Sequence, residues 1–101
     1  IKGLIMKYAV QTKWHWKDGI FSAEKMQEWM KDVKKGNSLA EDVILWKIDN
    51  QHHGALVIYA SEEIANKERA IIEAERKENN KNGASIIEET MGPIKARMSE
   101  I

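Results

Sequence analysis

Cysteine is absent from the 101 residues of the chain. Disulfide bonds, thiolate catalysis and zinc–sulfur sites are therefore excluded. Long apolar runs are absent too, since none approaches the roughly 18 residues that a membrane-spanning helix needs. The start of the chain, Ile1-Lys2-Gly3-Leu4, does not have the pattern of a signal peptide. These absences predict a cytoplasmic protein that does not enter a membrane.

Net charge is also absent, because 16 basic and 16 acidic side chains cancel. A strongly basic surface is what draws a protein to nucleic acid or to an anionic membrane, so neither partner is expected. The apolar share of 43% and the charged share of 32% are typical of a globular chain. Abundant lysine, isoleucine and asparagine indicate an AT-rich microbial gene, as in many bacteria. The length predicts a single domain over residues 1–101.

Four segments have the alternating or clustered apolar residues of β-strands. The predicted strands cover residues 4–12, 43–49, 52–60 and 94–99. Asn50-Gln51 is predicted to be the two-residue turn between the second strand and the third. The chain has one proline, and Gly92-Pro93 is predicted to end a helical segment before the last strand. The segment from Ala84 to Met91 is predicted to form one or two turns of helix.

Two further segments have the periodicity of amphipathic helices. The first is predicted over Ala23 to Lys35, with Ser22 as its N-cap and Gly36-Asn37 as a left-handed stop. Its apolar stripe consists of Met26, Trp29, Met30 and Val33. The second is predicted to begin after Ser61 and to end near Glu78.

The order of these elements, β-α-β-β-α-β, predicts an α+β fold. Two right-handed crossovers in that order give a four-stranded antiparallel sheet with strand order 4-1-3-2 and both helices on one face. Both faces of the strands are apolar, whereas a half-solvated sheet alternates apolar with polar residues. The second strand has Ile44, Trp46 and Ile48 on one side and Val43 and Leu45 on the other. Because an exposed apolar face is rare in monomers, we expect a homodimer with the two sheets packed face to face.

The passage Gly54-Ala55-Leu56-Val57-Ile58-Tyr59-Ala60-Ser61, from the third strand to the helix cap, is a further recognisable feature. Together with the element order and the doubly apolar sheet, it resembles the dimeric α+β barrel superfamily, which includes antibiotic-biosynthesis-monooxygenase-like domains and many small proteins of unknown function. The resemblance covers nearly the whole chain. It implies a ferredoxin-like monomer, a homodimer, and a cavity between sheet and helices that often holds a small molecule. It implies no particular reaction, because this fold hosts many unrelated activities.

Trp14-His15-Trp16 is the least ordinary tripeptide in the chain. If it is extended, both indoles share one face of the strand and His15 takes the other. One interpretation is an aromatic wall at the mouth of a cavity, with His15 in proton transfer. The other interpretation, which four tryptophans in so small a domain favour, is that both indoles pack the end of the barrel or the dimer interface.

His52-His53 lies at the predicted hairpin. Adjacent strand residues point to opposite faces, so both could bind one metal ion only from an irregular loop. No further ligand motif lies at a suitable spacing, so neither a metal nor a cofactor is predicted. His53 shares a face with Tyr59, and a two-residue turn would place it opposite Ile48, on the face of Trp46. It is predicted to be either a packing residue or part of a ligand site.

The second helix carries Glu68 and Glu75 within its apolar arc, which is formed by Ile64, Ala65, Ile71 and Ile72. A carboxylate that faces the sheet is a candidate general acid or base, and Glu68 is the better candidate because it is nearer the middle of the helix. Carboxylates are seldom buried without a partner. That rule favours the alternative, in which the helix packs through a flank and both glutamates reach water.

The first functional hypothesis is a homodimer whose cavity binds a small, partly aromatic molecule, with or without a cofactor-independent reaction. The residues predicted to contact this ligand are Tyr8, Trp14, Trp46, His53 and Tyr59, and those predicted to be catalytic are Glu68 and His15. The second hypothesis is a non-catalytic dimer that serves as a structural module or a sensor.

Three other functions are not expected. The RNA-binding RRM fold shares the element order, but its third strand has alternating aromatic residues after the glycine, where this chain has aliphatic ones. An acylphosphatase-like loop needs glycines and an arginine, and Gln11-Thr12-Lys13-Trp14 has neither. Haem-degrading members of the resembled superfamily have an axial histidine on a helix, and neither predicted helix contains histidine.

Overall fold

A computed structural model of the protein describes residues 6–36, 38–68 and 83–98. Within these ranges the chain forms four strands and the whole or part of two helices. The elements are β1 (Tyr8–Trp16), α1 (Ala23–Lys35), β2 (Asp42–Asp49), β3 (His52–Tyr59), the described part of α2 (62–68) and β4 (Ala84–Pro93). The predicted α+β class is confirmed. No helix in the described part of the chain is long and apolar enough to cross a membrane.

The four described strands form one antiparallel sheet in the order β2-β3-β1-β4. This is the predicted order 4-1-3-2 read from the opposite edge. Strands β1 and β3 occupy the centre, and their register pairs Tyr8 with Tyr59 and Thr12 with Ala55. The first and third strands are therefore the ones whose side chains the rest of the domain covers.

The last strand was predicted in the wrong place. Ala84–Pro93 forms β4, whereas the segment from Ala84 to Met91 was predicted to be helical and 94–99 to be the strand. A β-bulge, opposite Lys13 and Trp14 of β1, leaves Ile87 without a partner and interrupts the alternation that marks a strand in sequence. Pairing along β1 thus overrides the local pattern. Pro93 is tolerated because β4 is an edge strand, where a missing N–H need not break the ladder.

Strand β1 extends further along the chain than predicted. It continues past Thr12 to Trp16, so of the two possibilities for Trp14-His15-Trp16, an extension of the strand or the start of the following loop, the structure has the extension. Residues 1–5, which include the start of the predicted strand, lie outside the described residues.

Helix α1 has the predicted bounds. The Oγ atom of Ser22 accepts a hydrogen bond from the backbone N–H of Lys25 at 3.2 Å, as an N-cap does. The predicted left-handed stop is wrong at Gly36, whose φ is −79°. Its N–H instead donates to the Asp32 carbonyl, which closes the last turn in the helical manner. Asn37 lies outside the described residues.

The β2–β3 hairpin has the predicted two-residue turn, but its register contains an irregularity between Lys47 and Asp49. His53 consequently lies opposite Lys47 and not opposite Ile48. The prediction that His53 shares a face with Trp46 is therefore wrong, because the irregularity moves Trp46 to the other side of the sheet, opposite Gly54.

Both helices lie on one face of the sheet. Tyr8 and Tyr59 are buried there together with Ala65 of α2, and Val10 and Val57 pack against them. Helix α1 contacts the same face at its other end, where Trp29 stacks on Trp16 of β1. We call this the helix side of the sheet, and the opposite face the open side.

Candidate functional site

A cavity of about 780 Å³ lies on the helix side, between the sheet and α1. Its floor is formed by alternate residues of the three strands β1, β2 and β3, because side chains two apart in a strand share a face. The floor residues are Val10, Thr12, Trp14, Trp16, Val43, Leu45, His53, Ala55, Val57 and Tyr59. Helix α1 contributes Trp29, Met30 and Val33, and α2 contributes Glu68. The cavity is thus mainly apolar, with a few polar groups at defined places.

Three aromatic rings line one end of the cavity. Trp16 lies 5.6 Å from Trp29 and 5.3 Å from Phe21, measured between ring centroids, and Phe21 meets Trp29 edge to face at 5.0 Å. Such distances lie within the range of favourable aromatic pairs. This aromatic cluster connects the N-terminal half of α1 to the end of β1.

The indole N–H groups of β1 are already used inside the protein. Trp14 Nε1 donates to Thr12 Oγ1 at 3.0 Å, and Trp16 Nε1 donates to His53 Nδ1 at 2.8 Å. The Trp14 ring also stacks on the His53 ring, with an angle of 6° between the planes. These contacts restrain the orientation of both indoles, which form an aromatic part of the cavity wall.

His53 is held in one neutral form. Because an indole N–H can only donate, His53 Nδ1 must be the acceptor, and the ring proton is on Nε2. His53 is 4% exposed, and this burial lowers the pKa of the imidazole below its usual value of 6.5. The residue therefore presents a hydrogen-bond donor and no positive charge.

Glu68 provides the acidic group of the cavity. Its side chain is 9% exposed, and its Oε1 atom accepts hydrogen bonds from Ser38 Oγ at 2.9 Å and from the Leu39 backbone N–H at 3.2 Å. The Oε2 atom is buried and has no hydrogen-bond partner among the described residues. One oxygen thus anchors the carboxylate to the loop before β2, and the other has unused capacity to accept a hydrogen bond.

The structure brings together part of the predicted ligand site. Trp14, His53 and Tyr59 line the cavity, as a common site requires. Tyr8 lies in the adjoining core rather than in the cavity wall. Trp46 is on the open side, where its indole lies over Gly54, so it does not contribute to this cavity.

The two residues predicted to be catalytic are separated. Glu68 faces the cavity, whereas His15 lies between two cavity-lining tryptophans and points to the open side, where its ring is 5.0 Å from that of His52. A substrate in the cavity could reach Glu68 but not His15. The alternative in which Glu68 reaches water along the helix edge does not describe this structure, and Glu75 lies outside the described residues.

Sequence reasoning missed several parts of the site. Trp29 was recognised only as a member of an apolar helix stripe, and Phe21 was not singled out at all. Ser38 lies in a loop and belongs to no motif, so nothing in the sequence indicated that it binds Glu68. The available signal was that a buried acid requires hydrogen-bond donors nearby. The sequence alone does not show which loop supplies those donors.

A second polar cluster lies at the hairpin. His52 Nδ1 is 2.7 Å from Asp49 Oδ1, and His15 stacks obliquely on His52. Among residues 6–36, 38–68 and 83–98, no group of three or more histidine, cysteine or acidic side chains is arranged to hold a metal ion. The cluster is therefore described as a hairpin contact and not as a metal centre.

Comparison of the chain with protein-family models, with curated proteins and with solved structures found no match. The function proposed below therefore depends on the geometry of the cavity alone.

Proposed function

We propose that the protein binds a small organic molecule in the cavity between the sheet and α1. The observation that carries this proposal is the cavity itself, whose volume of about 780 Å³ is in the range of roughly 300–1,000 Å³ typical of ligand sites. Its composition supports the same proposal, because ligand sites combine apolar and aromatic walls with a few fixed polar groups. Here the polar residues of the lining include His53, whose Nε2–H is a donor, and Glu68, whose Oε2 has no hydrogen-bond partner among the described residues.

The walls of the cavity are ordered before any ligand arrives. His53 and the two β1 indoles restrain one another, and Glu68 is anchored by Ser38 and Leu39. A preformed site loses less conformational entropy on binding than a flexible one. We therefore favour non-covalent binding, and we propose no reaction that needs Glu68 and His15 on the same substrate.

The test uses Nile red, a neutral dye whose fluorescence rises in apolar surroundings. Ala55 is buried in the cavity floor, so Ala55→Phe inserts a ring into the cavity and is expected to weaken binding on the order of tenfold or more. Leu56→Phe is the matched control, because it adds a ring at the next residue on the open side. Equal dye binding by wild type and Ala55→Phe, with both folded, would contradict the proposal.

We propose further that the chain is a ferredoxin-like dimer in which two open sides pack face to face. The observation that favours it is the exposure of large apolar residues of β2 on that side, with Ile44 at 46% and Trp46 at 38%. A face of this kind gains from burial against a copy of itself. A dimer of this form is equally compatible with a non-catalytic sensor or structural module.

The dimer is tested by sedimentation of Ile44→Lys. A lysine on the open side would have to lose its water in the interface, so this variant is expected to sediment as an 11.6 kDa monomer. Leu39→Lys is the matched control, because Leu39 is also 46% exposed but lies in the loop before β2. A monomeric wild type at micromolar concentration would exclude the dimer without affecting the cavity.

A further inference from the structure

The charged groups that line the cavity have one sign. Asp18 and Glu68 are acidic, and the described lining contains no lysine or arginine. His53 adds no positive charge, because its Nδ1 accepts the Trp16 N–H and a protonated ring would have to break that bond. An anionic ligand would meet no countercharge among these residues, whereas a cationic one would meet a carboxylate.

The Oε2 atom of Glu68 indicates that the described part of the site lacks a hydrogen-bond donor to pair with it. A buried polar atom without a hydrogen bond is rare in native proteins, because desolvation is then uncompensated. Glu68 is more than nine-tenths buried, lines the cavity and already satisfies Oε1 through Ser38 and Leu39. The protein supplies two donors to Oε1 and, among its described residues, none to the buried Oε2. A small rotation of the carboxylate would present Oε2 to a donor from a ligand in the cavity.

The aromatic wall favours the same type of ligand. The faces of tryptophan rings carry partial negative charge and attract cations, and they also bury flat apolar surface. Trp14 and Trp16 have their N–H groups turned to Thr12 and His53. The wall therefore offers ring surface rather than donors.

Resting on the proposed function, we infer that the cavity selects ligands with a protonated amine on an aromatic or otherwise apolar body, and that the ammonium group donates to Glu68 Oε2. The apolar body then lies along the floor formed by Ala55 and Val57, towards the tryptophans. Binding is non-covalent, and no bond is formed or broken.

The experiment measures displacement of Nile red by three probes of similar size and different charge. They are phenethylamine, which is cationic at neutral pH, phenethyl alcohol, which is neutral, and hydrocinnamate, which is anionic. We expect phenethylamine to displace the dye at a concentration on the order of tenfold or more below that of phenethyl alcohol. Hydrocinnamate is expected to be the weakest.

Glu68→Gln removes the charge while it keeps the shape and an oxygen for Ser38 and Leu39. It is expected to abolish the preference for the amine and to leave phenethyl alcohol nearly unchanged. Glu63→Gln, an exposed position on the same helix, changes the net charge equally and is expected to keep the preference. The three-probe comparison on the wild type decides the matter even if Glu68→Gln does not fold.

The outcomes separate this inference from the proposed function. If the dye binds and the amine and the alcohol displace it equally, or hydrocinnamate displaces it best, the inference is wrong and the ligand cavity stands. If the dye does not bind the wild type and none of the probes shifts its tryptophan fluorescence, the proposed function fails and the inference fails with it.

Discussion

The two sides of the sheet differ in composition and in burial. On the helix side, Tyr8, Ala55 and Tyr59 are buried, whereas on the open side Ile44 and Trp46 remain more than one-third exposed. Strands β2 and β3 have apolar residues on both sides, whereas β1 has Gln11, Lys13 and His15 on the open side. The exposed residues Ile44 and Trp46 belong to the edge strand β2, whereas Ile58 of the central strand β3 points to the same side and is 5% exposed.

The adjacent histidines of β3 show the same contrast at the level of single residues. His53 faces the helix side, is buried, and takes part in the Trp16 hydrogen bond. His52 faces the other way and contacts Asp49 and His15. One imidazole is therefore part of a ligand-sized cavity, and the other stabilises a turn.

The largest expected difference is in the stability lost when a side chain is truncated on one side of the sheet or on the other. Tyr59→Ala removes a ring that is 2% exposed and should lower the free energy of unfolding by about 3–5 kcal/mol. Ile44→Ala should cost less than about 1 kcal/mol at concentrations where the chain is monomeric. Urea denaturation measures both. Equal losses in the monomer would mean that the open side is covered by the chain itself.

Glycines of the open side provide a second, smaller contrast. A Cβ at Gly54 would overlap the Trp46 indole, whereas a Cβ at Gly92 would have no heavy atom within 4 Å. Gly54→Ala should therefore lower the free energy of unfolding by about 1–3 kcal/mol, and Gly92→Ala should change it by less than about 1 kcal/mol. Adding Trp46→Ala to Gly54→Ala removes the clash. If Gly54→Ala lowers the free energy of unfolding as much in the Trp46→Ala background as in the wild type, the steric explanation is wrong.

The third prediction concerns pH. Burial lowers the pKa of folded His53 below 6.5, so between the folded pKa and 6.5 the unfolded chain binds more protons than the folded one. Stability should therefore decrease as pH falls below 6.5, until His53 protonates in the folded state. His53→Gln should reduce this dependence, and His15→Gln controls for the loss of a histidine. An NMR titration that gives His53 a pKa of 6.5 or higher would contradict the prediction.

The smallest effect is expected at the hairpin. The hydrogen bond from His52, and next that from the Gln51 N–H, lower the pKa of Asp49 below its usual 3.8. The contribution of the ionised carboxylate is present above pH 3.8 and is lost as pH falls through the lower folded pKa. Asp49→Asn should slightly lower stability near pH 6, where the ionised carboxylate contributes, and should weaken this acid dependence. Carbon-detected NMR of the Asp49 carboxyl measures its pKa directly, and a value above 3.8 would be the contrary result.

Local signals in the sequence were sufficient for much of the fold. Ser22 and the stripe that includes Trp29 defined α1, and Asn50-Gln51 defined the hairpin, because caps, helical periodicity and two-residue turns depend on neighbours along the chain. The position of β4 could not be found in this way. Its bulge exists only in register with β1, and it hides the alternation on which the prediction depended.

The candidate site depended still more on long-range geometry. Strand parity correctly separated Trp14 from His15, since alternation is a property of any extended chain. The separation of Trp46 from His53 required the irregularity in the β2–β3 register. The burial of Glu68 required the Ser38 loop, which lies 30 residues away along the chain.

The sequence by itself determined the α+β class and the bounds of α1, because both follow from the periodicity and punctuation of short segments. It also determined the antiparallel strand order, which follows from the order of the elements and the handedness of their connections, although the last strand was misplaced. Only the tertiary structure decided which apolar face the helices cover and which polar atoms meet there. That decision depends on pairing register and on contacts between distant segments, where a shift of one residue moves a side chain to the opposite side of the sheet.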